Sequence, residues 1–233
     1  MASYTRTPDR PILADPERQL ALSYAPPLKR DALALLWQLD ERMAAITAAA
    51  REPAIAAMRL IWWRDALIQL DCNDTPRPAE PLLAASATRL VAGGLPGRSL
   101  AEIEQGWAAL LDHDPPGEPE IIRHAEGRGA PLFTMSASLL GGASTDIGEA
   151  GSGWALADLG HRLRDIDSRR LARSLATRRL ARVDIRCWPA TLKPLGLLVL
   201  LARQDAALPA AQLRRQGAPK RLLRGLAYRL TGR

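Results

Sequence analysis

Proline and glycine cut this chain into pieces of helix length, and within the pieces apolar residues recur every three or four positions. Pro16 to Tyr24 reads as a short helix stopped by Pro26-Pro27. Lys29 to Arg51 carries Leu33, Leu36, Leu39, Met43 and Ile46 at helical spacing. Glu52-Pro53 opens a second helix to about Leu70, with Ile55, Met58, Ile61, Trp62 and Ala66 on one side. Asp71 to Pro81 is a loop rich in Asp, Asn and Pro. Further helices are expected over 81–92, 98–112, 119–140, 149–164, 168–182, 190–203 and 208–231, and Gly141-Gly142 signals a C-cap. Alternating apolar and polar runs of strand length are missing, and β-branched and aromatic residues are sparse. The expected class is all-α, a single-domain helical bundle, with 1–14 as an N-terminal tail and 15–233 as the domain. No repeat of 30–45 residues points to a solenoid.

At 233 residues, 47% hydrophobic and 24% charged, the chain can build one sizeable core. Cys72 and Cys187, far apart, form neither a disulfide framework nor a zinc motif, and no apolar h-region marks a signal peptide. The most apolar stretch, Pro194 to Ala202, is shorter than the ~20 residues a spanning helix needs. The expected location is cytoplasmic, with peripheral attachment to the inner face of a membrane as an extension.

Charge divides unevenly. Residues 1–150 hold 14 Lys+Arg against 20 Asp+Glu, a net of −6, whereas 151–233 hold 18 against 5, a net of +13. A half this basic suits an anionic partner, or simply balances the acidic half. On 168–182, Arg169, Arg170 and Arg173 share a side against Leu171, Leu175 and Leu180. On the last helix, Arg214, Arg215, Lys220, Arg221, Arg224 and Arg229 stand against an apolar face of Leu213, Leu222, Leu223, Leu226 and Leu230. Basic amphipathic helices fit an anionic membrane surface. Nucleic acid is disfavoured, since aromatic residues are not interleaved with the charges.

The common catalytic motifs are missing: no phosphate-binding P-loop, H-E-x-x-H, C-x-x-C or G-x-S-x-G. His113, His124 and His161 are scattered, and solvated or core-satisfied roles suit them better than catalysis. The helix Met58-Arg59-Leu60-Ile61-Trp62-Trp63-Arg64-Asp65-Ala66-Leu67 resembles the "R-L-x-W-W-R-D-A" helix of the squalene/phytoene synthase superfamily. Arg30 to Trp37, His124 to Gly129 and Trp154 to Asp165 resemble three further segments of that family, in order. The resemblance implies a trans-isoprenoid-synthase fold around a central cavity and enzymes that join allylic diphosphates with Mg²⁺ held by facing D-x-x-x-D helices. Here Ala44, Ala45 and Ala48 stand where the first acidic motif belongs, and after Asp165 the second acid is replaced by Arg169. The one pair of carboxylates four apart, Asp114 and Glu118, spans Pro115-Pro116-Gly117 and is not helical. Within the superfamily the chain looks closest to a branch similar to the mitochondrial complex I assembly factor, to which Leu39 to Ile46 is similar.

Three readings follow. The first is a non-catalytic binding or assembly factor, near a membrane, with an isoprenoid, a lipid or a respiratory-complex protein as partner and no cofactor. The second is an active prenyltransferase with an atypical site built from Asp65, Glu126 and Asp165, which alone would call for Mg²⁺. The third is a basic adaptor for anionic lipid. Arg59, Trp62, Trp63, Arg64 and Arg128 are the candidates for holding a ligand or phosphate, and no metal ligands are assigned. Packing is the competing role for the tryptophans, helix-to-helix pairing for Arg64, and ion pairing with a nearby arginine for Glu126. Asp71 and Asp74 read as solvated turn residues, and Asp165 and Asp167 as members of surface ion pairs.

Overall fold

Proline opens eight of the eleven α-helices of the described residues at the first or second position, where its missing N–H has no intrahelical partner to lose. The computed structural model describes residues 12–49, 51–72 and 78–231. The elements are α1 (Pro16–Leu22), α2 (Pro27–Ala49), α3 (Pro53–Gln69), α4 (Pro81–Ser86), α5 (Gly97–Ala108), α6 (Glu118–His124), α7 (Ala130–Leu140), α8 (Ile147–Arg162), α9 (Ile166–Leu180), α10 (Lys193–Ala206) and α11 (Pro219–Thr231). No strand occurs among the described residues. The all-α expectation holds. Most of the tail expected over 1–14, and Asp74 of the loop, lie outside the described residues.

α6 and α7 form one long rod, interrupted by a π-helical turn at Ala125–Gly129. Pro131 has no N–H to offer the carbonyl of residue 127, so the ladder is locally re-spaced rather than broken. The rod ends at Gly141, whose φ of 71° is the left-handed conformation glycine adopts without strain.

The core runs between α2, α5, α7, α8 and α10. Leu33, Leu36 and Met43 of α2, Leu100 and Ile103 of α5, Phe133 of α7 and Leu156 of α8 belong to this one core, all fully buried. Each contributes about 1.5–3 kcal/mol through removal from water. Trp37 donates its indole N–H to Ser136 Oγ across the core at 3.0 Å, so its one polar atom is satisfied.

Three segments depart from the sequence reading. On α3 the buried seam is Ala56, Leu60, Trp63 and Leu67, while Ile55, Met58, Ile61 and Trp62 face outward. The helix is apolar nearly all round, so periodicity alone does not choose its inner side. The last helix begins at Pro219 rather than near 208; residues 208–218 are irregular, with Gly217 at a φ of 68°. The five leucines assigned to its apolar face, Leu213, Leu222, Leu223, Leu226 and Leu230, are all exposed. On α9, Arg169 and Arg173 do not form a free basic face: they donate to the carbonyls of Ala210, Pro209, Leu208 and Gln212, fastening the irregular segment to the bundle.

Candidate functional site

Two glycine-to-glycine crossings carry the π-helical turn into the centre of the bundle. A Cβ on Gly106 of α5 would stand 2.4 Å from the backbone nitrogen of Arg128, and one on Gly127 2.8 Å from the nitrogen of Gly106. On the other side, a Cβ on Gly129 would stand 2.2 Å from the carbonyl oxygen of Gly151 on α8. With both neighbours at backbone contact distance, Arg128 enters the space between α2, α5 and α8.

Arg128 is fully buried. Its Nε and Nη2 donate to Oδ1 and Oδ2 of Asp40 at 2.8 and 3.0 Å, and its Nη1 donates to Oδ2 of Asp158 at 2.8 Å. The fork thus takes one carboxylate from each of the two long central helices, α2 and α8, in the bidentate geometry that guanidinium suits. The rings of Trp107 and Trp154 lie 4.3 and 4.7 Å from its central carbon, on which they act as cation–π partners. Trp107 also donates its indole N–H to Asp40 at 2.8 Å.

The network extends outward from this centre. Arg18 of α1 donates to Asp40 at 2.5 Å. Arg162 and Arg214 both donate to Asp158, each at 2.7 Å. Arg221 joins Asp205 at 2.6 Å and Glu17 at 2.8 Å. Asp15, with a carboxylate oxygen 4.0 Å from Arg214, completes a set of five arginines against five carboxylates. Such balance is what allows charge in a low-dielectric interior, where an unpaired ion costs several kcal/mol.

Arg128 and Arg18 hold the carboxyl of Asp40 well below the usual carboxylate range, against the opposing effect of burial. Asp158 is likewise held far down by Arg162, Arg128 and Arg214, although burial pushes the other way. The same carboxylates raise Arg128 despite its burial. His124 is pushed down to about 3, chiefly by burial and then by Arg128. Its Nδ1 lies 2.7 Å from the carbonyl oxygen of Gly106, which makes Nδ1–H the donor and leaves Nε2 as the acceptor 3.4 Å from Arg128 Nη1. The ring is neutral and serves the network.

Beside this core lies an open cleft of about 480 Å³ between α2, α8 and the irregular segment. Its α2 wall is Ala44, Ala45 and Ala48, the positions assigned to the lost acidic motif, and its opposite wall includes His161, Arg162 and Arg214. Of its carboxylates, Glu41 accepts from the backbone N–H groups of Ala14 and Asp15, and Asp15 caps α1 by accepting from Glu17 and Arg18. These donors do not fit Mg²⁺, which prefers convergent carboxylate oxygens and here meets alanine and guanidinium. Among the described residues no group of three His, Cys, Asp or Glu side chains is placed to hold a metal.

The residues proposed as an alternative catalytic set are each engaged locally. Asp65 is exposed and pairs with its neighbour Arg64 at 2.9 Å. Glu126 points outward from the π-helical turn and pairs with Arg179 at 2.5 Å. Asp165 caps α9, accepting from the N–H of Ser168 at 2.7 Å rather than joining a surface ion pair, whereas Asp167 does pair with Arg170. Asp71 is an exposed turn residue, as read from the sequence, and in addition it caps α5 through the N–H groups of Gly97 and Arg98 at 2.6 and 3.0 Å.

The ligand candidates separate in the same way. Arg59 is exposed. Trp63 is 5% exposed and packs in the core with Arg42 over its ring, while Trp62, 53% exposed, meets Trp63 edge-on at 5.5 Å on the outer side. Arg64 lines an outer cleft with Glu104 and Arg123. Only Arg128 reaches the centre, and all its donors are directed at protein groups.

Arg18, Asp40, His124, Asp158, Asp205, Arg214 and Arg221 were not singled out from the sequence as site residues. A signal existed for two. Asp40 falls on the apolar face of α2 in step with Leu33, Leu36 and Met43, and Asp158 interrupts the apolar run 154–160. A carboxylate at a core position requires a buried cation.

The architecture is that of an all-α isoprenoid-synthase-type domain, with two facing central helices and a polar centre between them. The chain matches the squalene/phytoene synthase family over residues 13–175 and belongs to that family. No curated protein and no solved structure matches it significantly. The matched region ends within α9, so Asp205, Arg214 and Arg221 lie beyond it. No helix of the described residues is long and apolar enough to cross a membrane.

Proposed function

We propose that this squalene/phytoene synthase-like chain is a non-catalytic member of its family, a binding or assembly factor whose diphosphate centre has become a structural ion-pair network. The observation that carries this reading is Arg128 joined to Asp40 on α2 and Asp158 on α8. Ionising an allylic diphosphate needs divalent metal to absorb the leaving charge. The facing helices instead spend their inward carboxylates on arginine. Trp107 and Trp154 stack on the same guanidinium, so side chains occupy the interior between the helices.

A domain so arranged keeps a rigid helical frame and offers its surfaces for recognition. In this reading the partner class is a protein, a respiratory-complex subunit being the one the family resemblance implies. The test is direct. Purified protein incubated with Mg²⁺ and farnesyl or geranylgeranyl diphosphate is expected to give no C30 or C40 product and no diphosphate release. Turnover to either product overturns the reading.

A further inference from the structure

The irregular segment and α11 hold no carboxylate at all: after Asp205 the sequence carries seven Lys or Arg and no Asp or Glu. The way α11 is seated decides what this charge faces. Its inner side is fixed by Arg221, paired with Glu17 and Asp205. It is fixed again by Gly225, where a Cβ would come 3.0 Å from Leu20, and by Tyr228, 3% exposed with its hydroxyl over Gly196. Arg229 carries the Lys193 ammonium on its carbonyl at 3.4 Å, and its guanidinium lies over the ring of Tyr24 at 5.4 Å. The orientation of the helix about its own axis is therefore set by contacts on one side.

Turning 100° per residue from that side places Leu222, Leu223, Leu226 and Leu230 within an arc of about 100° facing away from the bundle. Their exposures are 42%, 66%, 51% and 78%. Leu222 to Leu230 form a leucine strip about 12 Å long on this helix, with Lys220 and Arg224 along one border and Arg229 on the other.

We propose that α11 docks the protein on an anionic lipid bilayer, lying in the interface with its leucines among the acyl chains and Lys220, Arg224 and Arg229 at the headgroup phosphates. Charge complementarity selects this occupant. The strip is uniform in side chain, and the charged residues that border it are all cations, with no carboxylate on the helix. That is the section of an interfacial helix. Because the helix is already formed and held, binding incurs no cost of folding it. The inference does not depend on the absence of catalysis proposed above, and its test reads no turnover.

The experiment is co-sedimentation of the full chain with phosphatidylcholine vesicles, with and without phosphatidylglycerol. Binding is expected only to the phosphatidylglycerol vesicles, weakening as salt rises. Replacing Lys220 and Arg224 by Gln should weaken it about fivefold per cation. Leu226→Asp with Leu230→Asp should abolish it while leaving the circular dichroism and unfolding transition unchanged, because both side chains already face water. Ile55→Asp with Met58→Asp on α3, a second exposed apolar face on another helix, should leave binding intact. Equal binding to neutral vesicles, no binding to either kind, or undiminished binding of the leucine variant overturns the proposal. So does a self-associated chain in solution that the leucine variant dissociates, since the strip would then be an interface between two copies.

Discussion

Arg128 and Asp40, 88 positions apart, meet through two hydrogen bonds of 2.8 and 3.0 Å at the centre of the bundle, both fully buried. This pair ties α2 to the π-helical turn, and the remaining Nη1 of the same guanidinium ties both to α8 through Asp158. The three elements that frame the interior are joined by one side chain.

Arg128→Met should therefore cost about 3–5 kcal/mol, because it strands buried carboxylates rather than merely removing contacts. Arg128→Lys keeps the charge but loses the fork, and should fall between the wild type and the Met variant. Combining Arg128→Met with Asp40→Leu should cost less than the two single changes added together, as the second removes the charge that the first leaves unpaired. Urea unfolding of the wild type, the three single variants and the double variant measures all of this. Strict additivity would mean that the pair is not energetically coupled.

His124 makes stability fall in mild acid. Its folded-state pKa is about 3 against an ordinary 6.5, so between those values the unfolded chain binds a proton that the native chain excludes. Stability is then complete above about pH 6.5 and declines as pH falls, at about 1.4 kcal/mol per pH unit from this residue. Burial is the chief cause, and protonating Nε2 would also set a second cation 3.4 Å from Arg128 Nη1. Asp40 and Asp158, held low by their arginines, add a further loss below the ordinary carboxylate pKa of 3.8. In urea titrations from pH 7.5 to 4.5, His124→Asn should show a flatter dependence than wild type. An unchanged slope refutes the assignment.

The two glycine crossings should tolerate no side chain. At Gly151 a Cβ would stand 2.1 Å from the carbonyl oxygen of Gly129, and at Gly106 it would meet the backbone of Arg128. Neither neighbour is a flexible side-chain end, so the helices themselves must separate. Gly151→Ala and Gly106→Ala should each cost about 1–3 kcal/mol or more. Gly148→Ala on the same helix, whose nearest neighbour would be the Ala130 methyl at 3.7 Å, should be close to neutral. Thermal unfolding of the three variants compares them directly.

Helix positions and the all-α class were legible because prolines and the Gly141 cap mark boundaries through local backbone rules, which need no tertiary knowledge. The absence of facing acidic motifs was legible for the same reason, since Ala44, Ala45 and Ala48 are read directly. The network that fills the centre was not. Arg128 pairs with residues 88 and 30 positions away, and nothing local in His124 to Gly129 names Asp40 or Asp158 as its partners. The outward turn of α11 was hidden for another reason. Leu226 reads as part of the apolar face, and it takes Arg221 paired with Glu17 and Asp205, together with Gly225 admitting Leu20, to make the Tyr228 side the inner one.

The adjacent tryptophans of α3 provide the sharpest separation of packing from surface. Trp63 lies in the seam with Leu60 and Leu67 against α5, and Trp62, the residue before it, is turned outward by 100°. Trp63→Ala should cost about 3–5 kcal/mol through the cavity it leaves. Trp62→Ala loses an edge-on ring contact and half-exposed area, so its cost should stay below about 1.5 kcal/mol. Fluorescence adds an independent measure, since Trp62 should be quenched by acrylamide far more readily than Trp63. Comparing each single Trp→Phe variant with wild type isolates the two signals. Equal stability losses, or a Trp62 as protected from acrylamide as Trp63, would show that the outer face of α3 is covered in solution by a second copy of the chain. In the monomer described here that face, continued by Ile55 and Met58, is open to water.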